Sequence, residues 1–235
     1  MRARFLSAIA MYSSDYVKRM IEQFGAFLMA LKQLLTENRL QEAREQIDLA
    51  YRQVLGFEPD FARAASEDTL LLMTSLARIG DLDRVLALAD VLAADGDWHA
   101  LAGDLEIAET CYQKALHLLI DALLQQPFGT SKEYVDRVDA LIDRLEAHDA
   151  LGEPSLVRIF RYAARLQRYA DAEDALFHLL EVTPEVERWR AEGIQFYQSL
   201  LALRDHELLL GGLSRDEVLA ALEELSASDN MGEAV

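Results

Sequence analysis

The sequence has a single cysteine and only four prolines among 235 residues. One thiol excludes an internal disulfide framework and any zinc site built from several cysteines. Because Cys111 lies on the apolar side of a predicted helix, we expect a buried and unreactive thiol. Alanine, leucine and glutamate are abundant, and runs of valine, isoleucine and threonine are absent, which favours helix over strand. The composition therefore predicts an all-α protein.

Positive charge is also scarce, since 23 Lys and Arg residues stand against 41 Asp and Glu, for a formal net charge of −18. An acidic chain repels phosphate backbones, so we expect no nucleic-acid binding. Residues 57–153 hold most of the excess, with 7 basic against 20 acidic residues. This acidic middle either attracts a basic partner or forms a solvated surface, and the second is the usual role of such a surface.

Long apolar runs are missing. A helix that crosses a bilayer needs about 18 apolar residues in succession, and no segment approaches that length. The apolar stretch at residues 1–10 is short, meets Asp15 and Lys18, and has no clear small-residue cleavage site, so we do not interpret it as a signal peptide. The sequence leaves open whether translation starts at Met1 or at Met11. These absences favour a cytoplasmic protein.

Apolar residues recur at spacings of three and four along the chain, as on one face of a helix. Ser, Asp, Asn, Gly and Pro between these stretches mark where helices begin and end. Nine to ten helices are predicted, at residues 13–37, 40–55, 67–79, 82–94, 105–126, 131–148, 155–167, 170–182, 184–204 and 214–225. A loop is predicted at 57–66, and a break at Asp95-Gly96-Asp97 before a short helical piece at 98–102. No segment shows the alternation of a strand.

The domain organisation follows from these boundaries. We expect one helical domain at 13–226, with a sub-boundary near 127–131. Residues 1–12 are expected to form a flexible extension, and 227–235 a mobile tail. On the first helix, Tyr16, Phe24 and Phe27 form an aromatic stripe that indicates core packing, a homodimer seam or a weak membrane face.

Four junctions between predicted helices share one pattern: a turn, a large apolar residue, two variable positions and a small residue. They read RLQEA at 39–43, DLDRV at 81–85, DLEIA at 104–108 and RYADA at 168–172. The small residue allows the second helix to pack closely against the first. Recurrence of one helix–turn–helix unit is typical of a solenoid, in which each unit buries its apolar face on its neighbours.

The stretch 103–116, with its Gly-Asp turn followed by Ala108, Tyr112 and Ala115, resembles the second half of a tetratricopeptide repeat. Residues 168–184 are similar and end in Leu-Glu-Val-Thr-Pro; the positions in register are Tyr169, Ala172, Leu176 and Leu179. The chain also resembles uncharacterised bacterial proteins with degenerate repeats of this kind. The resemblance implies an α-solenoid of antiparallel helix pairs. The usual Trp, Leu-Gly and Tyr of the first helix are mostly missing, and the alternative is a bundle of generic amphipathic hairpins.

Recognisable catalytic signatures are absent. The sequence has no GxxxxGK[ST] loop, no HExxH and no strand-linked GxGxxG, and none of its five histidines has a glutamate three residues before it. The best metal-like pairs, Asp174 with His178 and His117 with Asp121, supply two ligands each, which is too few for a site. We therefore expect no catalytic residue, no metal and no cofactor, and predict that the protein is not an enzyme.

One basic stripe stands out in this acidic chain. Its members, spaced at i, i+3, i+7 and i+10, are Arg158, Arg161, Arg165 and Arg168. The tetratricopeptide resemblance places Arg161 and Arg165 near groove-lining positions, with Lys32 and Arg78 at comparable places in earlier repeats. Guanidinium groups there could hold an acidic segment of a partner. The alternative is that these arginines pair with acids of the chain itself, such as Asp171 or Glu153.

These observations favour an interaction module that binds a protein or peptide and has no chemistry of its own. The first alternative is a regulatory protein that senses a peptide or a small ligand through a change in the curvature of the repeat array. The second is an enzyme whose site is assembled from scattered helical carboxylates.

Overall fold

The computed structural model of the chain describes residues 24–75, 81–126 and 131–229. Within these three ranges the secondary structure is helical, with turns and short loops, and contains no strand. The all-α prediction is thus confirmed for the described residues. The predicted extension at 1–12, Tyr16, Arg78, most of the proposed sub-boundary and the end of the predicted tail lie outside them.

Twelve helices and one π-helical segment occur in the described residues. They are α1 (24–36), α2 (Leu40–Leu49), the π-helical segment (Ala50–Leu55), α3 (Pro59–Ala64), α4 (Glu67–Ser75), α5 (Asp81–Ala102), α6 (Leu105–Leu124), α7 (Lys132–Glu146), α8 (Glu153–Arg165), α9 (Tyr169–Val182), α10 (Val186–Leu200), α11 (Asp205–Leu210) and α12 (Arg215–Asp229). None of the described helices is long and apolar enough to cross a membrane.

The chain divides into two compact units, one of Met1–Ala122 with Asp136–Asp149 and one of Leu123–Val135 with Ala150–Val235. In the first unit, α5 packs against α2, the π-helical segment and α4, and α3 packs against the π-helical segment. In the second, α8 pairs with α9, and α10 packs against both α9 and α12. Each unit buries its own large side chains, among them Tyr51 and Leu92 in the first and Trp189 and Tyr197 in the second.

Three of the four predicted repeat junctions have the same backbone geometry. Each first helix ends in a left-handed residue, and the φ angles of Asn38, Gly103 and Gln167 are 56°, 91° and 60°. The N–H group of the following residue donates at 2.9 Å to the carbonyl five residues earlier, and that of the left-handed residue donates to the carbonyl three residues earlier. This is the Schellman arrangement, which satisfies the last carbonyls of a helix.

At the same three junctions the second helix begins at once. The small residues of the pattern, Ala43, Ala108 and Ala172, donate their N–H groups to the carbonyls of the residues just before the second helices, at 3.0–3.1 Å. All three alanines are completely buried. The sequence pattern therefore encodes a helix end and a helix start in adjacent residues. In the fourth junction Val85 is buried as well, while the residues before Asp81 lie outside the described chain.

The predicted loop at 57–66 is wrong in part, because residues Pro59–Ala64 form the short helix α3. Pro59 stands in its first turn, where proline fixes a helical φ angle and the missing N–H group leaves no bond unmade. The segment 205–210, which the sequence reading left without an element of its own, is helical too, and its first turn is closed by Glu207, which accepts from the N–H of Arg204 at 2.9 Å.

The predicted break at Asp95-Gly96-Asp97 is also wrong. Helix α5 runs without interruption through these residues as far as Ala102. Gly96 lies under the ring of Tyr112 on α6, so its lack of a side chain allows the two helices to approach. Asp97 accepts hydrogen bonds from the hydroxyl of Tyr112 at 2.9 Å and from Nε of Arg144 at 2.8 Å. Tertiary partners thus hold in a helix three residues that favour a turn.

Candidate functional site

The predicted basic stripe lies mainly on α8. Gly152 precedes this helix and Pro154 stands in its first turn. The buried side of α8 is formed by Leu156, Ile159, Phe160, Tyr162 and Ala163, and the arginines occupy the intervening positions. The helix ends at Arg165, so Arg168 belongs to the start of α9 and not to the same helix.

Arg161 lies at the centre of the stripe and is half exposed. Its guanidinium carbon is 5.6 Å from the ring centre of Trp189, and Nη2 is 3.7 Å from Oε1 of Glu192. Arg188 lies over the same indole at 5.0 Å. The ring of Trp189 is buried, and its Nε1–H has no hydrogen-bond partner. Cation–π contact with a tryptophan holds a guanidinium in place while leaving its N–H groups available.

The other stripe members have different contacts. Nη2 of Arg165 donates to the carbonyl of Gln126 at 2.5 Å, and Nη1 of Arg158 to that of Pro154 at 3.0 Å. Arg168 pairs with Asp171 at 2.6 Å, which is the internal pairing that the sequence offered as an alternative. Of the two remaining candidates, Lys32 is exposed on α1, and Arg78 lies outside the described residues.

A second site, which sequence reasoning missed, surrounds Asp95 in the middle of α5. This carboxylate has no solvent exposure. Its Oδ1 accepts from Nη1 of Arg44 at 2.7 Å, and its Oδ2 accepts from Nη1 of Arg63 at 2.7 Å and from the hydroxyl of Tyr51 at 3.1 Å. A buried carboxylate needs such compensation, because an unpaired charge in the interior is strongly destabilising.

Both arginines also reach a second carboxylate nearer to solvent. Arg44 pairs through Nη2 with Asp48 one turn later on α2, and Arg63 pairs through Nη2 with Asp60 at 2.6 Å. Asp60 is almost fully exposed, at 98%. The arginines are therefore held from below by one buried acid, while their outer N–H groups face acids that water also reaches.

These side chains line a cleft of about 330 Å³, which we call the Asp95 cleft. Its walls are formed by residues of α2, the π-helical segment, α3 with the residue before it, and α5, namely Arg44, Asp48, Arg52, Glu58, Pro59, Asp60, Arg63, Trp98 and His99. Trp98 is fixed by its Nε1–H, which donates to the carbonyl of Leu40 at 2.7 Å, and Arg44 lies over its ring at 5.2 Å.

His99 is the unusual member of the cleft wall. Its side chain is nine-tenths buried, yet neither ring nitrogen has a hydrogen-bond partner. Nε2 is 3.6 Å from Oδ1 of Asp95, and Nδ1 is 3.4 Å from Oδ2 of Asp104, without hydrogen-bond alignment. Buried polar side chains are nearly always hydrogen-bonded, so this exception needs an explanation.

Local electrostatics raise the pKa values of two hydrogen-bond donors in the cluster, Tyr51 and Arg63. Burial and the negative charge of Asp95 raise the pKa of the Tyr51 hydroxyl well above its ordinary value, so it remains a donor. Burial acts to lower the pKa of Arg63, but Asp95 and Asp60 outweigh it and the pKa is raised. Lys114 on α6 supports the same wall, since its ammonium donates to the carbonyls of Arg63 and Ala65 at the end of α3.

The two candidate metal pairs gain no third ligand among the described residues. In this part of the chain no group of three or more His, Cys, Asp or Glu is placed to hold a metal ion. His117 contacts Glu67 on α4, with 2.9 Å between Nδ1 and Oε1. Cys111 is buried, as predicted, and burial raises the pKa of its thiol to about 12.

Comparison with known proteins gives a family and no activity. No curated protein and no solved structure matches the chain. The model of a family of unknown function, DUF6483, matches residues 11–230, which is nearly the whole sequence. The chain, with its paired helices and its arginine-lined cleft, therefore belongs to the DUF6483 family.

Proposed function

We propose that this protein is an interaction module of tetratricopeptide-like helical repeats that binds a protein or peptide and has no catalytic activity of its own. The repeated Schellman junctions support the repeat assignment, because three helix pairs turn through the same backbone geometry and bury an alanine at the same position. Repeats of this kind present helix faces to a partner, and their sites are surfaces.

The observation that carries the proposal is the exposed arginine pair of α8. Arg161 lies 3.7 Å from its nearest carboxylate, and Arg165 donates to a backbone carbonyl. Both guanidinium groups thus lie at the surface of a chain whose net charge is −18. An acidic peptide segment would form charge-assisted hydrogen bonds with these forks, and such bonds are about twice as strong as neutral ones.

The experiment is a capture from native lysate followed by reconstitution with the purified partner. The wild-type protein is compared with Arg161→Glu/Arg165→Glu and with Lys132→Glu/Arg204→Glu, which changes the net charge equally at other exposed positions of the same unit. Circular dichroism first establishes that both variants fold. We expect a partner that is retained by the wild type and by the control and lost by the α8 variant. Equal retention by all three proteins would contradict the use of this face.

A second candidate function is supported by the Asp95 cleft. A regulatory protein that senses a peptide or a small ligand needs a pocket, and this cleft offers fixed guanidinium groups and an imidazole that makes no hydrogen bond. Small-angle scattering with and without a bound ligand tests the idea, since a sensor is expected to change shape and a static scaffold is not. An unchanged scattering curve at saturating ligand would count against sensing.

A further inference from the structure

We propose that the Asp95 cleft binds a small ligand through a free α-carboxylate, held by the guanidinium groups of Arg44 and Arg63 and by the imidazole of His99. Two kinds of molecule offer this group with N–H groups beside it, a free α-amino acid and the C-terminal residue of a peptide. This proposal names the ligand class for the second candidate function. It rests on that function in one respect only, namely that the cleft is a ligand site.

The arginines are preorganised. Asp95 has no exposure and takes one Nη group from each of them at 2.7 Å, which fixes both guanidinium planes before any ligand arrives. Helices α2 and α3 carry these arginines and α5 carries the carboxylate, so one buried charge organises three elements. Fixed forks of this kind match the planar geometry of a carboxylate, and little conformational entropy is lost on binding.

The carboxylate of a ligand can take the place of an exposed carboxylate of the chain. The outer Nη group of Arg63 contacts Asp60, a side chain 98% exposed to solvent. Arg52 and Glu58 form a similar exposed pair at 3.0 Å. Solvent-exposed ion pairs of this kind contribute little to stability, because water screens them. A ligand can therefore displace Asp60 from Arg63 at little cost, while the buried contact to Asp95 stays.

His99 supplies the independent observation. Its two ring nitrogens are buried without a hydrogen-bond partner, and its ring borders the cleft. A buried polar group without a hydrogen bond is destabilising. Asp95 and Asp104 lie 3.6 and 3.4 Å from these nitrogens without hydrogen-bond alignment, so a ligand atom that pairs with the imidazole would add a hydrogen bond that the chain does not make.

Charge and size define the class. The three arginines of the wall stand among Asp48, Glu58 and Asp60, and Asp95 lies beneath Arg44 and Arg63 as a fourth acid. This mixture disfavours a polyanion such as a phosphate ester, whereas the acids can accept from the N–H groups beside an α-carboxylate. A volume of about 330 Å³ is at the small end of the range of about 300–1,000 Å³ for ligand pockets. Trp98 and Pro59 give the cleft its apolar surface.

The test uses the full chain and defined probes. Thermal-shift measurements followed by calorimetry are made with each of the twenty free amino acids, with their α-amides, and with tripeptides whose C-termini are free or amidated. We expect at least one free-carboxylate probe to bind. Its amide is expected to bind at least about tenfold more weakly, because a charge-assisted contact is lost. Preference for the amino acid or for the tripeptide distinguishes the two sources.

Two variants locate the binding. His99→Gln removes the imidazole without changing a formal charge, and Arg63→Lys keeps a positive charge near Asp95 but removes the fork. Both are expected to weaken binding by about tenfold, while Arg204→Gln in the other unit leaves it unchanged. The proposal is overturned if no free-carboxylate probe binds at 1 mM, if amides bind equally well, or if both cleft variants bind like the wild type. Binding without a change in scattering would keep the site and reject sensing.

Discussion

The aromatic ring of Tyr112 lies directly against the backbone of Gly96, so close that a Cβ atom at this glycine would stand 2.5 Å from Cε1 of the tyrosine. Glycine within a helix costs about 1 kcal/mol relative to alanine. Glycine is nevertheless favourable here, because its lack of a side chain allows α5 and α6 to approach each other. The tyrosine is fixed in turn by its hydroxyl, which donates to Asp97, and by the guanidinium of Arg144, 5.7 Å from its ring centre.

Replacement of Gly96 by alanine is therefore expected to destabilise the protein, although alanine is the better helix former. The added methyl group forces a buried ring to move, and overpacking of this kind costs about 1–3 kcal/mol. Urea unfolding followed by circular dichroism measures the change. The matched control is Gly25→Ala on α1, where nothing lies within 4 Å of the added Cβ and a small gain in stability is expected. Equal effects of the two substitutions would contradict the close packing.

The buried ion cluster makes a second prediction. Asp95→Asn leaves the guanidinium groups of Arg44 and Arg63 without their shared carboxylate, and breaking a buried pair in this way costs about 3–5 kcal/mol. Asp60→Asn removes an exposed partner of the same Arg63 and should cost less than about 1 kcal/mol. Both are measured by urea unfolding at neutral pH. A small effect for Asp95→Asn would mean that the cluster does not organise α2, α3 and α5.

Stability should depend on pH through Glu173. Burial raises the pKa of this carboxyl above 4.5, although the hydroxyl of Tyr197, which donates to Oε1 at 2.7 Å, acts to lower it. The folded protein then binds the proton more tightly than the unfolded chain, so stability falls as the pH rises from 4.5 through the folded pKa. Glu173→Gln is expected to stabilise the protein at pH 7 by less than about 1 kcal/mol, since the group is partly exposed.

The comparison of thermal midpoints at pH 7 and at pH 4 tests this sign. The gain from Glu173→Gln should disappear at the lower pH, where the carboxyl is largely protonated in both states. Glu223→Gln, at an exposed position of α12, serves as the control for the loss of one carboxylate. A gain that persists at pH 4 would point to packing and not to charge.

The thiol of Cys111 should be inert in the folded protein. It has no solvent exposure, and burial raises its pKa to about 12, so very little thiolate forms at neutral pH. We expect a thiol reagent such as dithionitrobenzoate to react only at the rate of unfolding, and to react at once in guanidinium chloride. Rapid reaction of the native protein at pH 8 would show that α6 opens locally.

The repeat junctions predict a stabilising substitution. Gln167 closes α8 with a φ angle of 60°, a conformation that costs a non-glycine residue about 1–2 kcal/mol. Gln167→Gly should therefore stabilise the protein by about 0.5–1 kcal/mol. The control is Gln198→Gly, at an exposed position inside α10, which should destabilise by about 1 kcal/mol. Destabilisation by both glycines would indicate that the side chain of Gln167 makes a contact of its own.

Much of the local structure was predictable from the residues alone. Helix starts at Leu40 and Leu105 and a stop at Gly56 agree with the predicted ranges, and α9 starts at Tyr169, one residue before its predicted start. The last helix was predicted from residue 214, and Ser214 and Glu217 form reciprocal hydrogen bonds at the start of α12. These features depend on contacts within about five residues, so the order of residue types is enough to specify them.

The candidate sites were harder to predict. The spacing of the α8 arginines indicated a stripe, but it could not show that Arg161 lies against Trp189 or that Arg168 begins a different helix. The Asp95 cleft gave no sequence signal at all. Its arginines stand 51 and 32 residues before the carboxylate they bind, and nothing in a single sequence marks that relationship.

The sequence by itself determined that this protein is helical, where most of its helices begin and end, and which alanines are buried at the repeat junctions, since periodicity and capping act over a few residues. Only the tertiary structure decided that Asp95-Gly96-Asp97 is helical. Local preference alone favours a turn there. Arginines from α2, α3 and α7 and the ring of Tyr112 from α6 make the helical conformation the stable one, because only there do both carboxylates find partners and the glycine a close neighbour.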